Sequence, residues 1–254
     1  MPTTIAPAIS DSLFLFAGID AEEKSALFQG GKMRRYAAGE NLFTLGDPVR
    51  TFAIIGDGAV QLFRLTPDGH EMTTEILLAG DSFGETEILQ QCPTHQFSAR
   101  AVKPTAVMEF PHAWLKKAIQ NHPTLALNLL ALLARRASSG VIETERRATM
   151  TAAQQLACFL ERLCVLHDYD PHDFELPYSK TLIASRLGME LETLSRALAK
   201  IRTHGIDVQG TRISFTDLKK MENFACHGCA QAGNCPEHAV LMQKLATGKA
   251  ARQA

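Results

Sequence analysis

Three cysteines fall within ten residues late in the chain, Cys226-x2-Cys229-x5-Cys235, and Pro236 follows the last of them. A Cys-x2-Cys pair lets two thiolates meet one metal ion, and proline after a ligating cysteine is a habit of ferredoxin-type sites. The array points to an iron–sulfur cluster, [4Fe–4S] in form, with zinc as the competing occupant and a free thiol switch as the third reading. His238 lies close enough in sequence to complete a zinc tetrahedron of three cysteines and one histidine. A four-iron cluster also needs a fourth ligand, and His238, Cys158, Cys164, Glu143 and Glu145 are all available. The remaining cysteines, Cys92, Cys158 and Cys164, stand apart, and isolated cysteines are commonly small buried hydrophobes.

About thirty residues upstream a second kind of chemistry is written. Leu182 to Leu187, Gly188 and Leu191 to Arg196 read as a helix, a tight turn and a second helix. Ser179 is a good N-cap for the first of them. Glu192, Ser195 and Arg196 stand at i, i+3 and i+4, so they share one face of the second helix. In a helix-turn-helix that face enters the major groove of double-stranded DNA. Arg196 can pair bidentately with guanine, Glu192 can accept from cytosine, and Ser195 is adaptable. Leu187, Leu191, Leu194 and Leu198 are expected to face the core.

The elements that must carry these groups follow from pattern. Between residues 32 and 110 short β-rich runs recur, Phe52–Ile55, Val60–Phe63 and Ala106–Phe110, with glycines between or beside them, which predicts an antiparallel roll or barrel. Thr66-Pro67-Asp68-Gly69-His70 has hairpin-turn chemistry. From Trp114 to about Met150 glycine is rare and apolar residues recur at helical spacing, with Pro123 opening a long helix in its first turn. Leu125, Leu129, Leu130, Leu133, Ala137 and Val141 form its apolar stripe, for packing within the chain or for a parallel dimer seam. A further helix is predicted over Ala152 to about Leu166. Ile206 to Phe215 reads as a hairpin wing, and Thr216-Asp217 caps a short helix leading into the cysteines.

At 254 residues and 46% apolar content the chain has room for two cored domains and a connector. The first twenty residues carry neither a basic cluster nor a long apolar run, so neither a signal peptide nor a membrane anchor is expected and the setting is cytoplasmic. In that reducing compartment a disulfide framework is disfavoured. The near-neutral net charge of −1 conceals an asymmetry: residues 1–112 hold 8 Lys/Arg against 14 Asp/Glu, residues 179–221 hold 8 against 4. A basic segment around a helix-turn-helix suits phosphate contact. No nucleophile elbow, phosphate loop or paired catalytic carboxylates accompany His95, Glu85 and Glu87, so catalysis is not expected.

Over nearly its whole length the chain resembles the CRP/FNR regulators. Leu78-Ala79-Gly80-Asp81-Ser82-Phe83-Gly84-Glu85 is similar to that family's Pro-Gly-Asp-x-Phe-Gly-Glu stretch, with Ala79 in place of proline. Glu192-Thr193-Leu194-Ser195-Arg196 matches the FNR-type Glu-x-x-Ser-Arg reader. The resemblance implies an α+β fold: a cyclic-nucleotide-binding-like β-roll over 1–112, a dimerisation helix over 113–149, a winged helix-turn-helix over 150–220 and a cysteine segment with tail over 221–254. It further implies a homodimer on inverted TTGAT-like half-sites, with RNA polymerase as a partner and no membrane. Glu190 stands where relatives carry a threonine N-cap, which predicts a weaker cap. Where nucleotide-binding relatives hold the cyclic phosphate with Arg-Ser, an ungapped count places His95 and Gln96, poor substitutes for a guanidinium. FNR-type oxygen sensors share the x2, x5 spacing but carry it near the N-terminus, with a fourth thiolate where this chain has Met108. The expectation is therefore a regulator that senses oxygen, nitric oxide or redox state through a relocated C-terminal cluster. The alternative is a regulator gated by a small ligand in the roll, with structural zinc at the C-terminus.

Overall fold

The computed structural model describes residues 14–166, 169–229, 235 and 238–243. Two compact units divide the chain, 1–138 and 139–254. In the first, a 3-10 turn (Phe14–Phe16) and α1 (Ala21–Phe28) precede β1 (Lys32–Tyr36), β2 (Asn41–Phe43), β3 (Thr51–Asp57), β4 (Ala59–Leu65), β5 (Glu71–Leu78) and β6 (Ser82–Phe83). There follow α2 (Glu85–Leu89), β7 (Ser98–Ala101), β8 (Thr105–Pro111), α3 (His112–Asn121) and α4 (Pro123–Thr149), which runs on into the second unit.

The strands form two antiparallel four-stranded sheets, ordered β1-β8-β3-β6 and β2-β7-β4-β5. Side chains alternate across a strand, and β3 spends both faces. Phe52 and Ile54 join Phe28, Phe110, Leu115 and Leu125 on the helical flank, while Ala53 and Ile55 join Val60, Leu77, Phe83 and Val107 between the sheets. The predicted turn closes β4 onto β5, with Thr66 N–H donating to the His70 carbonyl at 2.9 Å. At Gly84 the chain takes φ +89, and a Cβ there would stand 2.7 Å from the Thr51 carbonyl oxygen. Only glycine accepts that turn, which hands the chain from β6 to α2 and sets Glu85 inward.

The long helix departs from the single stripe expected of it. Leu125 and Leu129 are buried in the roll's flank, whereas Leu127, Leu130 and Val141 are 66, 63 and 70% exposed. Its apolar residues thus serve two faces.

In the second unit α5 (Ala152–Leu166) packs against α7 (Leu191–Arg202) and α8 (Leu218–Ala225), with α6 (Lys180–Leu187) leading into α7. Leu156, Leu160, Ile183, Leu194, Ile201 and Ile213 are buried here. The wing strands β10 (Ile206–Gln209) and β11 (Arg212–Phe215) pair as expected, and β11 also takes β9 (Phe174–Glu175), a strand too short to announce itself.

Candidate DNA-reading surface and cysteine site

The reading helix is built by its caps. Ser179 Oγ accepts from Leu182 N–H, and Gly188 at φ 65 and ψ 37 reverses the chain after α6. Glu190 occupies the N-cap of α7 without any side-chain cap bond, so the expected weakness is present. Glu192, Ser195 and Arg196 lie exposed on one face, while Leu194, Ala197, Leu198 and Ile201 are buried on the other. Leu191 corrects the expectation of a core leucine: it is 52% exposed, because the first turn of α7 projects past the core. Leu187 is half-buried. Arg196 is held only by a 3.4 Å contact to Thr193 Oγ1, so it can reorient towards a base.

Ion pairs brace this reader. Glu143, near the end of α4, receives Arg186 of α6 and, at 3.5 Å, Arg162 of α5. Burial pushes the Glu143 carboxyl up, and Arg186 with Arg162 and Arg147 overcomes that, holding it below the ordinary carboxylate range. A carboxylate so engaged is a poor candidate for a fourth metal ligand.

The cysteine array begins where α8 ends. Cys226 opens a 3-10 turn (Cys226–Gly228), and Cys229 N–H donates to its carbonyl at 3.1 Å. Cys226, Cys229 and Cys235 are half-buried and unbridged. The Cys226 thiol is pushed up to about 12, first by burial, then by the negative potential of Glu161, Cys235, Cys229 and Glu222. Cys226 thus has two cysteines and two carboxylates among its neighbours, and cysteines with a nearby histidine are a donor set suited to iron or zinc. Among the described residues no three of these side chains already stand around one point as a coordination shell. Pro236 and residues 230–234 lie outside the described residues.

His238 is buried, and its Nδ1 lies 2.6 Å from Glu161 Oε1 on α5. Its Nε2 has no hydrogen-bond partner and stands 3.6 Å from Glu222 Oε2. The hydrogen bond to Glu161 raises the imidazole's pKa against the effect of burial, with Glu222 adding to it. Cys164 lies buried, its Sγ 3.4 Å from the Tyr169 carbonyl. Cys158 is buried on α5, its thiol pushed up to about 12 by burial, with Arg146 and Arg162 pulling it down and Glu161 and Cys235 pushing it up.

In the roll, His95 is 3% exposed, stacks on Phe43 at 3.6 Å and sets Nδ1 3.4 Å from Glu87. Gln96 faces solvent, its amide donating to the Thr94 carbonyl at 3.1 Å. Neither could clamp a phosphate. Arg136 of α4 turns inward, pairing with Glu85 and donating to the Ser82 carbonyl at 2.7 Å. Burial raises the Glu85 carboxyl despite that guanidinium.

Comparison with known proteins decides the family. Residues 33–122 match the cyclic nucleotide-binding domain and residues 154–224 the Crp-like helix-turn-helix domain. A solved Ruegeria pomeroyi protein assigned to cyclic-nucleotide binding is 32% identical, covering 89% of this chain and 99% of that one with a TM-score of 0.62. The chain belongs to the CRP/FNR family of transcription regulators. The nitrogen fixation regulation protein FixK of Bradyrhizobium diazoefficiens is 28% identical over 82% of this chain and 88% of its own length. The fumarate and nitrate reduction regulatory protein of Escherichia coli is 27% identical over 74% of this chain and 76% of its own. These relatives are DNA-binding regulators rather than enzymes, and the family acts as dimers.

Proposed function

We propose that this CRP/FNR regulator reads inverted TTGAT-like half-sites with Glu192, Ser195 and Arg196. Cys226, Cys229 and Cys235 would hold an iron–sulfur cluster, [4Fe–4S], through which the protein answers to oxygen, nitric oxide or redox state. The observation that supports it is three unbridged, half-buried cysteines following the last helix of the DNA-reading fold, with Cys229 and Cys235 near enough to Cys226 to act on its thiol. A bound cluster supplies iron that oxygen and nitric oxide attack. The chain's own residues do the rest. The three thiolates would tie the segment after α8 together, and Glu161 would fix the orientation of His238 beside them. The sensing reading requires that the occupied segment stabilise one state of the reader over another, since equal stabilisation shifts nothing.

The division of labour follows the sequence boundaries: roll over 1–112, dimer helix over 113–149, reader over 150–220, cysteine segment over 221–254. On α4 the exposed Leu127, Leu130, Ala134, Ala137 and Val141 repeat at alternating steps of three and four, the spacing of a coiled-coil seam. By length and composition α4 could also cross a membrane. A second copy is the better occupant, because a DNA-binding dimer needs two reading helices about one turn of DNA apart, ~34 Å. The setting is then the cytoplasm, with RNA polymerase as the onward partner.

The test is the visible spectrum with iron, sulfide and zinc analysis of protein purified without oxygen, then exposed to air. Brown protein that bleaches in air and carries iron and sulfide supports the reading, and Cys229→Ser should lose all three. Colourless protein with about one zinc per chain would make the site structural. His238 favours that second reading in one respect, since a ligating imidazole commonly gives its other nitrogen to a carboxylate as Nδ1 does to Glu161.

A further inference from the structure

The proposed cluster lacks a fourth ligand, and the face that α5 turns towards the cysteine segment offers one. Gln154, Cys158 and Glu161 stand at i, i+4 and i+7, one stripe of a helix. The two outer members bond to the residues that bracket the array. Gln154 Nε2 donates to the Phe224 carbonyl at 2.9 Å, two residues before Cys226. Glu161 holds His238 Nδ1 at 2.6 Å, three residues after Cys235. Cys158 lies between them on the same stripe, so its side chain faces the array.

Resting on the iron–sulfur reading above, we infer that Cys158 is the fourth thiolate of the site, joining Cys226, Cys229 and Cys235 to the helix beneath the DNA reader. Its surroundings agree. Cys158 is buried in this face, with its two stripe neighbours already committed to residues 224 and 238 on either side of the array. Two competitors are otherwise engaged: Cys164 faces the Tyr169 carbonyl and Glu143 is held between Arg186 and Arg162, which leaves His238, its Nε2 without a hydrogen-bond partner, as the rival to be separated by experiment. A fourth thiolate from α5 also gives the site its leverage. Loss of the occupant would remove one of the ties between the segment after α8 and the helix on which α7 packs.

The experiment compares wild type, Cys229→Ser, Cys158→Ala, His238→Ala and Cys164→Ala, all purified without oxygen. Iron and sulfide per chain, visible spectrum and electron paramagnetic resonance are the readouts. Cys164→Ala removes an equally buried thiol of the same helix and controls for packing. Supporting results are a Cys164→Ala protein that matches wild type, a Cys229→Ser protein devoid of iron, and a Cys158→Ala protein that loses its cluster or keeps only a three-iron form. If Cys158→Ala keeps wild-type iron, sulfide and spectrum, the assignment is overturned, and loss in His238→Ala would give the place to the imidazole. Iron retained in Cys229→Ser would sink the cluster reading itself. Should the wild type hold zinc, the same variants decide on zinc content, since a four-cysteine site loses metal in Cys158→Ala and a site of three cysteines and one histidine loses it in His238→Ala.

Discussion

Arg136→Met should weaken the roll at neutral pH and weaken it less in acid. The Glu85 side chain is 1% exposed and that of Arg136 25%. The methionine keeps most of the packing and removes the charge. Breaking a fully buried pair costs about 3–5 kcal/mol, and solvent access to the guanidinium lowers this to about 2–3 kcal/mol. With a urea slope of about 2 kcal/mol per molar, the midpoint should fall by ~1–1.5 M. Trp114 is the sole tryptophan and stacks on Phe110 at 4.1 Å between ring centres, so its fluorescence reports this unit alone. The pH arm has a definite sign. Burial already raises Glu85 in the folded state, and without Arg136 the rise is larger. An acid with a raised folded pKa binds more protons folded than unfolded, so stability falls as pH climbs from its unfolded value, about 4.3, through the folded one. The defect should therefore be widest at neutral pH and close as the pH falls towards about 4.3. A midpoint change worth less than about 0.5 kcal/mol, or a defect indifferent to acid, would refute the argument that Arg136 supports a buried carboxylate.

Arg196→Ala should cost about 1–3 kcal/mol of discrimination at one base pair of each half-site and leave metal content unchanged, as read by binding to a panel of single-base operator variants. Leu130→Glu should weaken the dimer by roughly 3 kcal/mol, about 100-fold, because the buried leucine counts once from each copy. Sedimentation equilibrium checks it, and an undisturbed dimer would place the seam elsewhere. Exchanging the Glu161 partner in His238→Gln should lower metal affinity about 10- to 100-fold in chelator competition, the usual cost of removing an outer support of a metal site. Equal affinity would reduce the His238–Glu161 contact to packing.

Much of the fold was legible because period and punctuation agree. β3, β4 and β8, the Asp68-Gly69 turn, the start of α4 at Pro123 and the Gly188 reversal each follow from a local rule. The errors share a physical cause. Leu191 looked like core because a heptad count ignores where a helix outruns its support, and the first turn of α7 does. The leucines of α4 looked like one stripe because periodicity cannot say how many partners a helix has. The inward turn of Arg136 was not legible at all, because nothing local reveals a buried Glu85 fifty-one residues away. Glu192, Ser195 and Arg196 were legible as a face, since i, i+3 and i+4 guarantee one.

The cysteine segment showed its residue types in the sequence but not its packing, and α5 explains why. The helix carries Gln154 at 9% and Glu161 at 2% exposure, buried polar groups that destabilise a fold unless each finds a partner. Both find it in the segment around the array, Gln154 at Phe224 and Glu161 at His238. Spacing alone presents 154, 158 and 161 as one stripe, but it does not reveal what that stripe meets. Two buried polar groups tie residues 224 and 238 into the winged unit's own core. An occupant bound at the array would therefore act on the packing of α5, and α5 is the helix against which the reading helix α7 is laid.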